Sequence, residues 1–241
     1  MSHPKPLNER LLSRHYQTFI DALRECAQSG GAGDSALADA LPAVTKDRRV
    51  MIAAALGDMK GDAGSEALRK AIDVPGASRD LRCAGLLALA KRCGSSASAD
   101  FARHLASSDF VVKSYAMHCL AGAGDDRAWD QALRRLDQIV KQPRRNTNDP
   151  SDVAITIGYL ARHVLATGSH RSMALITWIR EHWDALTGDE RRWLGTLWPG
   201  CGPNGGEVAS VAPADAEAIR RSVRGPLFDA PAFDFDGPSS R

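Results

Sequence analysis

The sequence predicts an all-α protein, a right-handed α-solenoid of about five helical hairpins with an N-terminal capping helix and a flexible C-terminal tail. Three observations support this prediction. Apolar residues recur three and four positions apart, which is the spacing of an amphipathic helix. Equivalent positions on paired helices return after about 30 residues. Clusters of glycine, proline and aspartate separate the helices, as turn residues do.

The repeat is clearest in three consecutive units. Their first helices carry Leu37, Leu68 and Phe101 at equivalent positions, and their second helices carry Leu56, Leu89 and Leu120. A period of about 30 residues with two helices per unit is typical of solenoids, in which each helix pair stacks only on its neighbours. The second helix of the middle unit, at residues 78–92, shows the pattern best.

Two segments resemble the second helix of HEAT repeats. They are SRDLRCAGLLALA at residues 78–90 and DFVVKSYAMHCLA at residues 109–121. Their Arg82 and Lys113 occupy the basic position of that family. The resemblance is close over residues 35–124 and looser over residues 125–199. It implies a stack of HEAT-like hairpins whose second helices line a concave face, and in which Arg82 and Lys113 pair with acidic side chains of the next repeat. It implies little about function, because one fold serves many tasks.

The N-terminal segment is predicted to form one amphipathic helix over residues 7–27. Its apolar stripe consists of Leu12, Tyr16, Phe19, Leu23 and Cys26, and a flexible glycine-rich breaker follows at residues 29–33. The stripe either caps the end of the stacked core or forms a dimerisation seam. In the next unit, Arg48 stands where the HEAT pattern has an aliphatic residue, so we expect an irregular first turn there.

The fourth and fifth units are less regular. Helices are predicted over residues 126–141, 151–166, 169–186 and 187–197, and the hinge at residues 142–152 is longer than the earlier ones. Asp149 and Pro150 are typical of a helix start, and Thr187 with Glu190 is typical of a capping box. Four of the five tryptophans lie between residues 178 and 198, where they either seal the end of the core or form an interface.

These elements divide the chain into successive parts. Residues 1–34 hold the capping helix and the glycine-rich linker, residues 35–206 the HEAT-like solenoid, and residues 207–224 a C-terminal helix. Residues 225–241 form a flexible tail rich in Phe, Asp and Pro, or one that is laid along a surface.

Charge and cysteine content narrow the classes of function. The net charge of +2 gives no general attraction for nucleic acid or acidic lipid. The five cysteines show no CxxC or Cys/His spacing, which is typical of reduced thiols in a cytoplasmic protein. No apolar run reaches the ~18 residues of a membrane span, and the N-terminus does not resemble a signal peptide. We therefore expect a cytoplasmic protein with no membrane partner.

Enzyme signals are weak. The seven histidines lack the HExxH motif and any other metal-ligand spacing. Cys201 lies in a Gly/Pro loop with no neighbouring residue that would activate a nucleophile, so we interpret it as a conformationally free loop cysteine. These observations favour a non-enzymatic protein with no catalytic residues, no cofactor and no metal site.

A partner-binding face is predicted on the second helices. Counting about 100° per residue gives a line of outward side chains, here called the second-helix face: Val50, Ala54, Cys83, Leu87, Lys91, Val111, Ser114 and His118. By the HEAT resemblance this line forms the floor of a concave groove, which suits a peptide or helix of an unidentified protein partner. The alternative is a merely solvated face. The leading prediction is therefore a HEAT-repeat interaction scaffold or adaptor, including an inhibitor or immunity-type partner protein.

A basic patch gives the alternative function. It consists of Arg134, Arg135, Lys141, Arg144 and Arg145, at the end of one helix and in the hinge after it. These cations either bind nucleic acid or complement the dipole of the helix and solvate the hinge. The first reading corresponds to a DNA-repair protein resembling the HEAT-like alkylpurine DNA glycosylases, although no catalytic residue of that family aligns.

The tail is predicted to contact this patch. Phe228, Phe233 and Phe235 are each followed by an aspartate. The contrast between these aspartates and the basic patch predicts that the tail docks on the patch and holds the groove closed until a partner displaces it.

Overall fold

The computed structural model describes residues 5–142, 151–167, 169–205, 213–224 and 228–233. These residues form helices and connecting turns, with no β-strand among them. The prediction of an all-α solenoid is confirmed. No helix in the described ranges has the length and apolar character needed to cross a membrane.

Thirteen α-helices follow one another in the described residues. They are α1 (Leu7–Leu11), α2 (Tyr16–Gln28), α3 (Gly30–Ala40), α4 (Lys46–Asp58), α5 (Ala63–Asp73), α6 (Arg79–Cys93), α7 (Ser98–His104), α8 (Phe110–Ala123), α9 (Trp129–Ile139), α10 (Asp152–Thr167), α11 (Ser169–Glu181), α12 (Gly188–Leu197) and α13 (Pro213–Arg224). Short 3₁₀ turns precede α7 and α9 and follow α11.

Three predicted hairpins are packed pairs: α5 with α6, α7 with α8, and α9 with α10. Helix α3 also contacts α4 but packs more extensively on α2, and α12 contacts α13. The second helices α4, α6, α8 and α10 stack in chain order. The repeat landmarks Leu37, Leu56, Leu68, Leu89 and Leu120 are fully buried in one continuous core. Burying each such leucine stabilises the fold by about 1.5–3 kcal/mol, so the repeating leucines fix the stack.

Side-chain caps define several helix starts. The Ser78 hydroxyl accepts a hydrogen bond from the Leu81 amide at 3.2 Å and begins α6. The predicted capping box before α12 is confirmed: the Thr187 hydroxyl accepts from the Glu190 amide at 3.2 Å, and the Glu190 carboxylate accepts from the Thr187 amide at 2.8 Å. The predicted helix start at Asp149 and Pro150 lies outside the described residues.

The N-terminal region differs from the prediction. The single helix expected over residues 7–27 is two helices, because the chain leaves helical geometry between α1 and α2, where the Ser13 hydroxyl accepts from the His15 amide at 3.2 Å. Because of this break, the predicted apolar stripe does not face the core along its whole length. Leu12 and Tyr16 are 49% and 61% exposed, whereas Phe19 is fully buried.

The expected glycine breaker is also helical. The segment at residues 30–33 is the first turn of α3, which packs on α2 so closely that a Cβ at Gly33 would lie 2.0 Å from the Cys26 carbonyl oxygen. Gly33 therefore allows a close helix crossing, whereas a Cβ at Gly30 or Gly31 would meet no other atom within 4 Å. The sequence pattern alone does not distinguish such a crossing from a flexible linker.

The expected irregular turn at Arg48 is regular helix. The Arg48 guanidinium donates hydrogen bonds to the Ser13 and Arg14 carbonyls and lies 4.7 Å above the Phe19 ring. This arginine reaches back to the N-terminal helices and replaces the aliphatic contact that the HEAT pattern would make.

The C-terminal helix α13 packs on α8, α10 and α12. Ile219 and Val223 are buried against α10 at Gly158, where a Cβ would lie 2.8 Å from a methyl carbon of Val223. The Trp193 indole donates to the Ser222 hydroxyl at 3.3 Å and joins α12 to α13. The last helix thus covers part of the second-helix side of the solenoid.

Candidate peptide-binding face

The predicted second-helix face divides into three sets of residues. The half-buried Val50, Ala54, Leu87 and Val111 lie on α4, α6 and α8. Three of these, Val50, Leu87 and Val111, pack against the hydrophobic core. They supply an apolar floor that is only partly exposed to solvent.

A second set lies inside the joints between repeats. Cys83 is 7% exposed, and burial raises the pKa of its thiol to about 11, with smaller contributions from Asp109 and Asp80. The Ser114 hydroxyl donates to the Asp152 carboxylate at 2.7 Å and links α8 to α10. The expectation that Cys83 faces outward is wrong, because the neighbouring helix covers that side of α6.

The third set, Lys91 and His118, contacts the chain's own C-terminal region. His118 Nε2 lies 3.2 Å from the Arg224 carbonyl oxygen, and its ring stacks on Phe228 with centroids 5.9 Å apart. Lys91 Nζ donates to the Ala230 carbonyl at 2.7 Å and also pairs with the Asp58 carboxylate at 2.8 Å. Burial lowers the pKa of His118, so this imidazole is neutral under its cover near pH 7.

The described part of the tail, residues 228–233, is here called the tail segment. Phe228 lies against α8, Ala230 contacts α6, and the Ala232 amide donates to the Asp58 carboxylate at the end of α4. The tail segment therefore crosses the carboxyl-terminal ends of three stacked second helices in reverse chain order. Of the two alternatives expected for the tail, flexible or laid along a surface, this segment follows the second. The expectation that it docks on the basic hinge is corrected for residues 228–232, because their contacts are with the second-helix side. Phe235 lies outside the described residues.

A pocket of about 380 Å³ lies beside the tail segment. Its lining includes Gly57, Asp58, Lys91, Gly122, Arg220, Arg224 and Phe228. Three cations and one carboxylate thus surround the point where the helix ends meet. Such a site favours a peptide backbone and an acidic side chain over a purely apolar ligand.

The basic positions Arg82 and Lys113 do not connect repeats as the HEAT resemblance implies. Neither forms an ion pair with a residue in the described ranges, and Arg82 Nε is buried without a hydrogen bond. Other pairs join neighbouring units instead: Arg69 with Asp100 at 2.9 Å, Arg79 with Asp109 at 2.7 Å, and Arg103 with Asp73 at 2.8 Å. The two residues of each pair are about one repeat apart in the sequence. This spacing of opposite charges could have predicted the pairs, but they are not among the predicted contacts.

The predicted basic patch is not a single surface. Arg134 and Lys141 are exposed, but Arg135 is 5% exposed, and its Nη2 lies 3.4 Å from the Asp152 carboxylate. Burial lowers the pKa of Arg135. This residue faces inward because it shares the core side of α9 with Ala132 and Leu136. Arg144 and Arg145 lie outside the described residues.

The cysteine thiols of the described residues are free, and most are buried. All five cysteines are unpaired. Cys201 is 1% exposed, and burial raises the pKa of its thiol to about 11, so it is not the free loop cysteine that the sequence suggests. No group of three or more metal-ligating side chains occurs among the described residues.

The tryptophans pack mainly between elements of the last units. Trp178 is 7% exposed, and its indole donates to the Asp137 carboxylate at 2.7 Å. Trp198 is also buried, whereas Trp183 and Trp193 are partly buried and pack against the core. This arrangement fits the sealing role, with Trp193 also contacting α13.

These features define a helical-repeat protein, an α-solenoid whose C-terminal helix and tail segment fold back over its second helices. No protein-family model and no curated protein sequence matches the chain. Among solved structures, it is similar to an engineered protein from the Northeast Structural Genomics Consortium, with 17% identity and a TM-score of 0.48 over 92% of this chain and 95% of that one. It is also similar to a designed armadillo repeat protein, with 15% identity and a TM-score of 0.46 over 90% of this chain and 98% of that one.

Proposed function

We propose that this protein is a non-enzymatic interaction scaffold or adaptor that binds a short segment of a partner protein across its second-helix face. A single observation carries the proposal: the tail segment already lies on the ends of α4, α6 and α8 and is bound there by main-chain hydrogen bonds and one buried ring. A surface that binds one such segment has the chemistry to bind another.

The groups involved are suited to peptide recognition. The Lys91 ammonium donates to a backbone carbonyl, and the Asp58 carboxylate accepts from a backbone amide. Both contacts are charge-assisted, which makes them stronger than hydrogen bonds between neutral groups. Because they address the backbone, they are available to any sequence that presents its carbonyl and amide at this spacing.

We further propose that the protein acts in a reducing compartment such as the cytoplasm, since all five cysteines are unpaired. The alternative of nucleic-acid binding through the basic hinge has less support, because Arg135 is buried and paired. A protein of this kind serves as an adaptor, or as an inhibitor of the partner that it binds.

Selection from a random peptide library tests the proposal. The full chain carrying Phe228→Ala, which removes the buried ring of the tail segment and frees the second-helix face, is immobilised beside the wild-type chain. Bound peptides are recovered, and their affinities for the Phe228→Ala chain are measured by fluorescence anisotropy. Lys91→Glu should weaken binding at least about tenfold, because the lost charge-assisted bond is worth over 1.4 kcal/mol. The matched control is Lys70→Glu on α5, whose side chain is 75% exposed and pairs with Glu66 of the same helix. Recovery of no binding peptide, or equal weakening by both variants, would contradict the proposal.

A further inference from the structure

We propose that the tail segment is an intramolecular ligand of the second-helix face and that the external partner carries a segment of the same chemistry: an aromatic anchor followed directly by an aspartate, then small residues and a proline. This inference rests on the proposed function and names the class of partner for the same site. The chain's own occupant, FDAPAF at residues 228–233, is the model for that partner.

Phe228 is the anchor. It is 7% exposed, and its ring lies directly over Gly122, where a Cβ would come within 2.6 Å of a ring carbon. The ring also stacks on His118 and lies 5.4 Å from the Arg224 guanidinium carbon. The flat glycine floor and the two flanking side chains therefore select a planar aromatic ring over a branched aliphatic side chain.

The aspartate after the anchor is recognised by charge. The Asp229 carboxylate pairs with Arg224 at 2.8 Å, and Arg220 lines the same pocket. Two arginines of α13 thus face the position that directly follows the aromatic ring. An acidic residue there gains a charge-assisted bond, and a basic residue is repelled.

The following positions are held through the backbone. The Ala230 carbonyl accepts from Lys91 and the Ala232 amide donates to Asp58, so contacts at residues 228, 230 and 232 fall on three successive second helices. Ala230, Pro231 and Ala232 are all exposed. Small residues suffice at these positions because their side chains are not the groups that the surface binds.

The tail segment can dissociate from the second-helix face while the rest of the protein stays folded. In α13, Ile219 and Val223 are 2% and 0% exposed, which makes that helix part of the core. In the tail segment only Phe228 is comparably buried, and residues 229–232 are exposed. Phe233 is partly buried and also packs against the core. One buried ring, one partly buried ring and a few polar contacts can exchange without unfolding the repeats.

Tethering sets the balance between the two ligands. Three residues separate Arg224 from Phe228, so the tail segment is present at an effective concentration of about millimolar or more. An external segment of equal intrinsic affinity must exceed that concentration to bind. The tail segment therefore blocks weak or unrelated peptides and yields to a partner that adds further contacts.

The test uses a fluorescein-labelled peptide that copies residues 226–236, PLFDAPAFDFD, titrated into the full chain. Phe228→Ala removes the anchor of the tethered copy but leaves the floor intact. We expect this variant to bind the peptide at least about tenfold more tightly than the wild-type chain, because the competing tail has lost its anchor. The matched control is Phe110→Ala, which removes a phenylalanine that is 50% exposed on α8 and should leave affinity at the wild-type value.

A second variant weakens the binding of the tail segment at another position, so that the result does not depend on whether one variant folds correctly. Ala232→Pro removes the amide that donates to Asp58 and changes no residue of α4, α6, α8 or α13, so it should also raise the peptide's affinity. A peptide with alanine in place of its first phenylalanine should not bind any of these proteins. Equal affinity of the peptide for wild type and both tail variants, or no binding to any, would overturn the inference. If library peptides of unrelated sequence still bind the second-helix face, the proposed function stands without it.

Discussion

At two contacts between stacked second helices, here called joints, an arginine caps the end of the preceding helix. The two joints differ in how the positive charge of that arginine is balanced. At the α4–α6 joint, Arg92 of α6 donates hydrogen bonds to the Leu56 carbonyl at 2.6 Å and the Met59 carbonyl at 3.2 Å. At the α8–α10 joint, Arg162 of α10 donates to the Ala121 carbonyl at 2.8 Å and also to the Gly124 carbonyl. In both joints a guanidinium from the later second helix satisfies carbonyls at the end of the earlier one.

The joints differ in how the buried charge is balanced. Arg92 forms a two-pronged pair with Asp34, at 2.8 and 3.2 Å, and the two side chains are 3% and 1% exposed. Burial and the neighbouring Arg220 lower the pKa of Arg162 to about 10, and no carboxylate among the described residues forms a salt bridge with it. Both joints therefore need a donor that caps the end of the preceding helix. Within the described ranges, only the α4–α6 joint also has a buried carboxylate that balances the charge of this donor.

The largest effect is expected from Asp34→Ala. The change leaves the Arg92 guanidinium buried without its counter-ion and removes the acceptor for the Gly64 amide, so stability should fall by about 3–5 kcal/mol. Urea-induced unfolding followed by circular dichroism measures it. The double variant Asp34→Ala/Arg92→Met should recover part of the loss, since no unpaired charge remains. A loss under about 1 kcal/mol for the single variant would show that the pair does not balance the joint.

A smaller loss is expected from Arg162→Met. Methionine fills much of the same space but leaves the carbonyls at the end of α8 without their donor, which should cost about 2–3 kcal/mol. Part of this cost is offset because a poorly balanced charge is no longer buried. The same urea experiment applies. A loss as large as that of Asp34→Ala would mean that the two joints are equivalent after all.

The α8–α10 joint should also depend on pH through His163. Burial, and secondly Arg162, lowers the pKa of His163 to about 4, with Arg171 acting in the same sense and Asp125 and Asp126 opposing it. The unfolded chain therefore binds the proton first, near pH 6.5, and stability falls as the pH drops from there towards 4.

For His163 the expected loss at pH 4.5 is about 2 kcal/mol relative to pH 7. His163→Gln should reduce the difference in urea midpoint between these two pH values. Burial also lowers the pKa of His118, but this residue is present in both proteins. The difference between wild type and variant in the pH dependence of stability is therefore due to His163. Identical pH dependence of wild type and variant would contradict the assignment.

The smallest effect is expected from Glu66→Ala on α5. Glu66 and Lys70 form an i,i+4 pair at 2.6 Å, and their side chains are 72% and 75% exposed. Solvent and salt screen such a pair, so the thermal unfolding midpoint should stay within error of wild type. A null result would show that an exposed ion pair adds little to stability. The large effect expected from the Asp34–Arg92 pair would then be due to its burial and not to ion pairing alone. A clear fall in the midpoint would undermine that reasoning.

Local patterns located most of the fold. The apolar period and Ser78 placed α6 within one residue of its ends, and Thr187 with Glu190 placed the start of α12. These features depend on residues close together in the chain, which a sequence reader can see. The same approach failed at residues 29–33, because glycines at a close helix crossing and glycines in a flexible linker look alike.

The candidate site was only partly accessible to prediction. Lys91 and His118 were identified because helical spacing predicts which side chains share a face. Cys83 and Arg135 were misplaced, since one neighbouring helix decides whether a flank is covered. Asp58 and Gly122 gain their roles from the tail segment, whose contacts span over a hundred residues of chain.

The sequence by itself determined most of the helices and their repeat, because amphipathic spacing and turn residues act locally and recur with a fixed period. Only the tertiary structure decided which arginines join the repeats and where the C-terminal tail lies. Both depend on charges and rings that meet across distant parts of the chain. Their partners are chosen by packing geometry, for which the order of residues gives no local signal.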